Sequence, residues 1–277
     1  MSLKRLGVIG CGGIADVVLT TLAKELASPL DQVSLLVPAQ FADQARALLD
    51  RLGDTIAARR SVHTDVAGLL GDRPDVVAEC ASHVAVRDFG PAILESGRDL
   101  VVISIGSLSD ETLRQRLEDA AKKGGARLVL PSGAIGGIDA LVAARLSGLE
   151  QVIYTGRKPS KAWKGTPAEQ LLPLDTLTEP TVFFEGSARK AASDYPFNAN
   201  VAATLALAGI GLDATQVRLV ADPGITRNVH EFAVRSACGD FTVKLEGRPS
   251  PVNPKTSLMA GYSVARELLN RAGTVVI

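Results

Sequence analysis

The sequence is poor in the residues that mark specialised chemistry. Cys11, Cys80 and Cys238 are its three cysteines, far apart in 277 residues and with no C-x-x-C pair. That spacing excludes zinc ribbons and fingers, so no metal is expected. An odd count is also poor material for a disulfide framework, and the plain expectation is reduced thiols in a cytoplasmic protein. Neither charge is in excess, with 30 Lys+Arg against 30 Asp+Glu. This argues against nucleic acid or a membrane surface as partner, since both reward a basic surplus, although a local basic pocket stays open. No apolar run approaches the roughly eighteen residues of a membrane span. The N-terminus enters an apolar strand pattern at once, so no signal peptide is expected. There are only three histidines and a single tryptophan. What is abundant is apolar residue, 46% of the chain, enough for a sizeable core and for two domains of ordinary size.

The chain is organised around its first fifteen residues. The apolar run 6–9 stops at Gly10-Cys11-Gly12-Gly13, and Ile14, Val18, Leu22 and Leu26 then recur at helical spacing. This is strand, tight turn, helix, with Gly10, Gly12 and Ala15 in the G-x-G-x-x-G/A order of a dinucleotide-binding turn. Gly10 permits the turn, Gly12 lets backbone approach a pyrophosphate, and Ala15 lets helix and strand pack closely. The helix dipole then faces the phosphates, with Gly13 and Ile14 in its first turn.

Short apolar strands at 33–37, 76–80, 100–104 and 127–130 alternate with helical patterns. One helix carries Ala42, Ala45, Leu49 and Leu52 on a stripe. A short one, capped by Thr64 or Asp65, ends near Leu70. Another ends at Gly97, and a fourth is capped by Ser109 and stopped by Gly124-Gly125. The alternation predicts an α/β fold, a Rossmann-type doubly wound parallel sheet. Beyond the glycine-rich joint 131–137 and a helix over 138–146 the pattern changes. In 228–236, His230, Phe232, Val234 and Ser236 face one way and Val229, Glu231, Ala233 and Arg235 the other; Phe241, Val243 and Leu245 alternate likewise after a Gly239-Asp240 turn. A second α+β domain with a mixed or antiparallel sheet is therefore expected over 132–253. The last helix, about 256–271, carries Leu258, Tyr262, Ala265 and Leu269 as its apolar stripe and returns to the first domain, 1–131 plus 254–277.

A dinucleotide domain usually ends its second strand with Asp or Glu on the NAD ribose, or an Arg nearby for the NADP phosphate. Here the run is Val37-Pro38-Ala39-Gln40. It has no carboxylate to repel a phosphate and no arginine to hold one, so use of both NAD and NADP is expected unless a distant residue decides. Cys80-Ala81-Ser82 and Ser104-Ile105-Gly106 follow first-domain strands. They either line the nicotinamide side or are ordinary small loop residues. Of the histidines, His63 reads as a surface loop residue and His83 opens a helix beside the expected cofactor channel. His230 lies on a second-domain strand, where it is either structural or a proton-exchanging group. The segment 157–164 packs Arg157, Lys158, Lys161 and Lys164 around Trp163. It is either a solvated loop or a basic pocket for an anionic substrate. Asn198 can cap the following helix or hold substrate, leaving Asn200 to face a ligand.

With these pieces assembled, the sequence resembles the L-aspartate dehydrogenase family over nearly its whole length. The resemblance rests on the turn at 10–15, Pro131-Ser132-Gly133-Ala134-Ile135-Gly136-Gly137, Arg157-Lys158-Pro159 with Ala162-Trp163, and Asn198-Ala199-Asn200-Val201. It also rests on Asp222-Pro223 with Asn228-Val229-His230, and on Asn253-Pro254-Lys255. It implies NAD(P)-dependent oxidative deamination of L-aspartate to iminoaspartate, which water converts to oxaloacetate and ammonia unless NAD biosynthesis takes it first. It implies a homodimer, an active-site role for His230, and cofactor contacts at Ala134 and Asn200. Lys158 is the first candidate for the substrate carboxylates. The departure from the family is Val37-Pro38, where many relatives carry an acidic residue. Two rival readings stay open. One is another reaction on this scaffold, of the homoserine dehydrogenase or dihydrodipicolinate reductase type; the other is a nicotinamide-binding sensor that oxidises nothing.

Overall fold

A computed structural model describes residues 3–196, 199–248 and 257–276. The chain forms two compact units, Met1–Pro131 with Ser250–Ile277, and Ser132–Pro249.

In the first unit strands and helices alternate without interruption: β1 (Arg5–Ile9), α1 (Gly13–Glu25), β2 (Leu30–Leu36), α2 (Ala42–Leu52), β3 (Ala57–His63), α3 (Val66–Gly71), β4 (Val76–Glu79), α4 (His83–Glu95), β5 (Asp99–Val102), α5 (Glu111–Gly124) and β6 (Leu128–Val129). The six strands are all parallel, in the order β3-β2-β1-β4-β5-β6. That is the doubly wound dinucleotide-binding order, with its switch point between β1 and β4. Central strands covered on both faces must be apolar throughout. Accordingly Leu6, Val8 and Ile9 on β1, and Val76, Val77 and Ala78 on β4, are at most 2% exposed.

Two local expectations are corrected here. The cap of α5 is Asp110, not Ser109: Asp110 Oδ1 accepts from the backbone N–H of Thr112 at 2.9 Å and of Leu113 at 3.2 Å. A carboxylate both satisfies these donors and meets the positive end of the helix. His63 is no loop residue. It ends β3, an edge strand that the sequence pattern did not announce, and its Nε2 lies 2.6 Å from Asp72 Oδ2. The same oxygen accepts from Ser34 Oγ at 2.7 Å and Ser61 Oγ at 2.6 Å. Although partial burial works the other way, these bonds hold the Asp72 carboxyl down at about 2.

The second unit contains α6 (Ile138–Ser147), β7 (Leu149–Pro159), α7 (Ala168–Leu171), β8 (Thr181–Ser187), α8 (Ala188–Asp194), α9 (Asn200–Ala208), β9 (Gln216–Asp222), β10 (Val229–Ser236) and β11 (Phe241–Glu246). The sheet is mixed, ordered β11-β10-β7-β9-β8, with only β7 and β9 parallel. As the alternation in 228–236 requires, His230, Phe232, Val234 and Ser236 are all buried. Phe232 and Val234 share a core with Val152, Tyr154, Trp163 and Leu219, and with Leu141, Val201 and Leu205 from α6 and α9.

The closing helix, α10 (Leu258–Ala272), belongs to the first unit. Its contact face differs from the expected stripe. Ala260, Gly261, Val264, Ala265 and Leu268 are buried, whereas Tyr262 is 49% exposed. The reason is close approach to α1: a Cβ on Gly261 would lie 2.7 Å from Val17 Cγ1, so the face built from the smallest residues is the one that fits.

Candidate active site

In the first unit the predicted cofactor residues gather at the C-terminal ends of the central strands. Gly10 has φ +100°, and a Cβ there would sit 3.0 Å from both Ala81 Cβ and the Cys80 carbonyl oxygen. Only glycine meets both demands. Gly12, by contrast, is the N-cap of α1, is exposed, and a Cβ on it would point into open space. Its side makes no capping hydrogen bond, so the first-turn amides of Gly13 and Ile14 have no side chain acting as cap. A tight turn, an uncapped helix start and open space before it fit a pyrophosphate. Beside the turn, Ala81 and Ser82 are exposed while Cys80 and Ser104 are buried. All three cysteines are free thiols.

One residue that ties this region together escaped the sequence reading. Glu79, at the end of β4, is fully buried. Its Oε1 accepts from the N–H of Ala81 at 2.7 Å, the N–H of Ser82 at 2.8 Å and Ser104 Oγ at 3.0 Å; its Oε2 accepts from the N–H of Ser104 at 3.0 Å. Desolvation pushes its carboxyl upward, against those four bonds. Thus the loops after β4 and β5, each a candidate for the nicotinamide side, hang on one carboxyl group. The signal was available, since a glutamate inside an apolar strand must find donors or forfeit its burial.

In the second unit the structure resolves the cationic segment 157–164. Arg157 and Lys158 lie in β7, not in a loop. Arg157 pairs with the buried Asp222 at 2.9 Å, and Lys164 pairs with Asp175 at the surface. Lys161 is exposed at the surface, so of the four cations Lys158 is the one left in a buried setting. Its ammonium stands 5.0 Å from the centroid of Trp163, whose Nε1 donates to the Val220 carbonyl at 3.1 Å.

His230 lies on the same side of this sheet. It is opposite Gly156 in the β10–β7 register and only 6% exposed. Its Nδ1 is 2.7 Å from the Tyr154 hydroxyl oxygen, and the two ring planes lie within 16° of parallel. Tyr154, Gly156 and Lys158 are alternate residues of β7 and so project together. Gly156 makes the Tyr154–His230 contact possible: a Cβ there would lie 2.7 Å from Tyr154 Oη. Burial holds Lys158 down at about 8. Burial first, and the Lys158 charge second, bring His230 down to about 4, while burial drives the Tyr154 hydroxyl well above its usual range. At neutral pH the site thus carries one ammonium, one neutral imidazole and one protonated phenol. Of the remaining expected positions, Ala134 is half-buried in the joint before α6 and Asn200 is exposed at the first position of α9. Asn198 lies outside the described residues. No described group of His, Cys, Asp and Glu could hold a metal ion, and no described helix is long and apolar enough to cross a membrane.

Fold and site together define a nicotinamide-dependent dehydrogenase class. Residues 10–131 match the family model described as homoserine dehydrogenase, NAD binding domain, and residues 139–271 match that described as aspartate dehydrogenase, C-terminal. The chain is 48% identical over 273 residues to the L-aspartate dehydrogenase of Cupriavidus necator, covering 99% of each, and 47% identical over 270 residues to that of Pseudomonas aeruginosa, covering 98% of each. Among solved structures it is similar to the aspartate dehydrogenase of Thermotoga maritima, at 26% identity and TM-score 0.72, with both chains fully covered. The chain belongs to the L-aspartate dehydrogenase family.

Proposed function

We propose that this protein oxidises L-aspartate to iminoaspartate, reversibly and with either NAD or NADP, and that water then yields oxaloacetate and ammonia. The observation that carries the reading is the buried Tyr154–His230 pair beside Lys158, in the unit matched by the aspartate dehydrogenase C-terminal model. A nicotinamide cofactor, when bound, would supply the acceptor for the hydride that leaves C2 of the substrate. The backbone at Gly10, Gly12, Gly13 and Ile14 would hold the cofactor's pyrophosphate. Glu79 keeps Ala81, Ser82 and Ser104 in place, and these with Cys80 would line the nicotinamide side of the cofactor. Ala134 and Asn200 complete the cofactor contacts, and Lys158 and Asn198 hold the substrate carboxylates. His230 meets the reacting carbon's substituents as amine gives way to imine and hydroxyl. Use of NADP follows from Val37-Pro38-Ala39-Gln40, which presents no carboxylate to a 2′-phosphate. A homodimer in the cytoplasm is part of the same reading, and light scattering on the purified protein tests the dimer.

The decisive assay is cofactor absorbance with L-aspartate, run separately with NAD and NADP and repeated with L-homoserine. Aspartate is oxidised with both cofactors, and His230→Ala lowers turnover about 100-fold while leaving cofactor affinity nearly unchanged. Faster oxidation of homoserine would favour that rival. Cofactor binding with no oxidation of any substrate would favour the sensor.

A further inference from the structure

The Tyr154–His230 contact says more than that two rings meet. A neutral imidazole can face a phenol in two ways: the hydroxyl donates to an unprotonated Nδ1, or a protonated Nδ1 donates to the phenol oxygen. The two differ in what happens to the hydroxyl proton. Tyr154 is 1% exposed, and His230 Nδ1 is the partner its oxygen has among the described contacts. In the second arrangement that proton would be buried without an acceptor, a cost large enough to decide between tautomers. In the first, the hydroxyl proton and Nδ1 satisfy one another and Nε2 carries the ring's own proton.

We propose that Tyr154 is a positioning residue that locks His230 as its Nε2–H tautomer, so that the imidazole faces the substrate as a hydrogen-bond donor and not as a base. The inference deepens, and rests on, the assignment of His230 to the reacting centre. It changes what the histidine can do. An Nε2–H can donate to an oxygen of the substrate, or to the hydroxyl that forms when water adds to the imine. It cannot take the proton of that water, because Nε2 has no free lone pair. The depressed basicity of the ring agrees with a group that stays neutral while donating.

The lock has a second component. Gly156 faces His230 across the strand pair, and the space its missing side chain leaves is where the Tyr154 hydroxyl enters. A methyl group at 156 would occupy that position and push the phenol away. Tyr154 and Gly156 therefore act as one device, although neither sits near His230 in sequence.

The chain has only His63, His83 and His230, so ¹⁵N-histidine NMR of the intact protein reads the tautomer directly, with His230→Gln assigning the signals. The expected result is a pyridine-like Nδ1 and a protonated Nε2 for His230 in the unmodified protein. In both Tyr154→Phe and Gly156→Ala that pattern is lost or mixed. Turnover with aspartate falls about tenfold in each, the equivalent of one hydrogen bond, while cofactor affinity is unchanged. Near-ultraviolet circular dichroism reports whether each variant remains folded, and the tautomer in either folded variant suffices. A protonated Nδ1 in the unmodified protein overturns the proposal. So does a His230 spectrum unaltered in the folded variants. If the Nε2–H signal is present but His230→Ala turns over normally, the lock stands and the catalytic assignment of His230 falls.

Discussion

Lys158 offers the sharpest quantitative test of the site. Desolvation lowers its ammonium to about 8, so on the proposed reading it changes charge within the range where the enzyme can be assayed. With that value, roughly nine-tenths of the side chain is charged at pH 7 and roughly one-tenth at pH 9. If only the ammonium pairs with a substrate carboxylate, the affinity for a dicarboxylate falls about tenfold across those two units. Aspartate itself is a poor probe, because its own amine titrates nearby. Succinate, which carries both carboxylates and no amine, avoids the complication as a competitive inhibitor. The measurement is its inhibition constant against aspartate at half-unit steps from pH 6.5 to 9.5. The expected curve is flat below about pH 7.5 and rises with unit slope above about 8.5. Lys158→Gln removes the slope and, by deleting a charged hydrogen bond, weakens succinate at pH 7 by about 10- to 100-fold. A flat profile in the unmodified enzyme, or the same slope in Lys158→Gln, refutes the assignment of this lysine to the substrate.

Two other perturbations separate the remaining groups. Glu79→Gln keeps the shape but replaces one accepting oxygen by a donor facing other donors, so at least one of the Ala81, Ser82 and Ser104 bonds is lost. The expected outcome is NAD binding weakened about tenfold and a melting temperature lower by several degrees; calorimetry with unchanged NAD affinity would separate these loops from the cofactor. Gln40→Glu places a carboxylate just beyond β2, and the KM for NADP should rise about tenfold or more while that for NAD barely moves. Equal effects on both cofactors would locate the ribose elsewhere.

The parts of this molecule legible in sequence are those whose signal is local. The run 6–9 broken by Gly10 announces strand, turn and helix because every residue involved lies within fifteen positions. The inward side of β10 is legible for a similar reason, since the two-residue period sorts His230, Phe232 and Val234 to one face. β3 was missed because Ala-Ala-Arg-Arg-Ser-Val-His has no apolar alternation; as an edge strand it is held by its pairing to β2 and by Asp72, both distant in sequence. The basic segment misled for the converse reason. Neighbours along a strand point to opposite faces, so Arg157 turns to Asp222 while Lys158 turns toward Trp163. Tyr154 gave no sign because its meeting with His230 depends on the β7–β10 register across 76 residues.

The charge of the second-unit site also bears on which substrate it suits. Near pH 7 it holds a single positive charge, on Lys158, because His230 at about 4 is neutral and Arg157 is committed to Asp222. L-Aspartate, with two carboxylates and one ammonium, carries a net charge of minus one. On the proposed reading its binding leaves the site electrically balanced, with a carboxylate meeting the Lys158 ammonium. L-Homoserine, with one carboxylate and one ammonium, is neutral overall, so on that reading it leaves the net charge of the site unchanged. A hydroxyl in place of the second carboxylate offers a neutral and therefore weaker acceptor to a cation. On the proposed reading, the same ammonium that makes Lys158 sensitive to pH favours a dicarboxylate in this site.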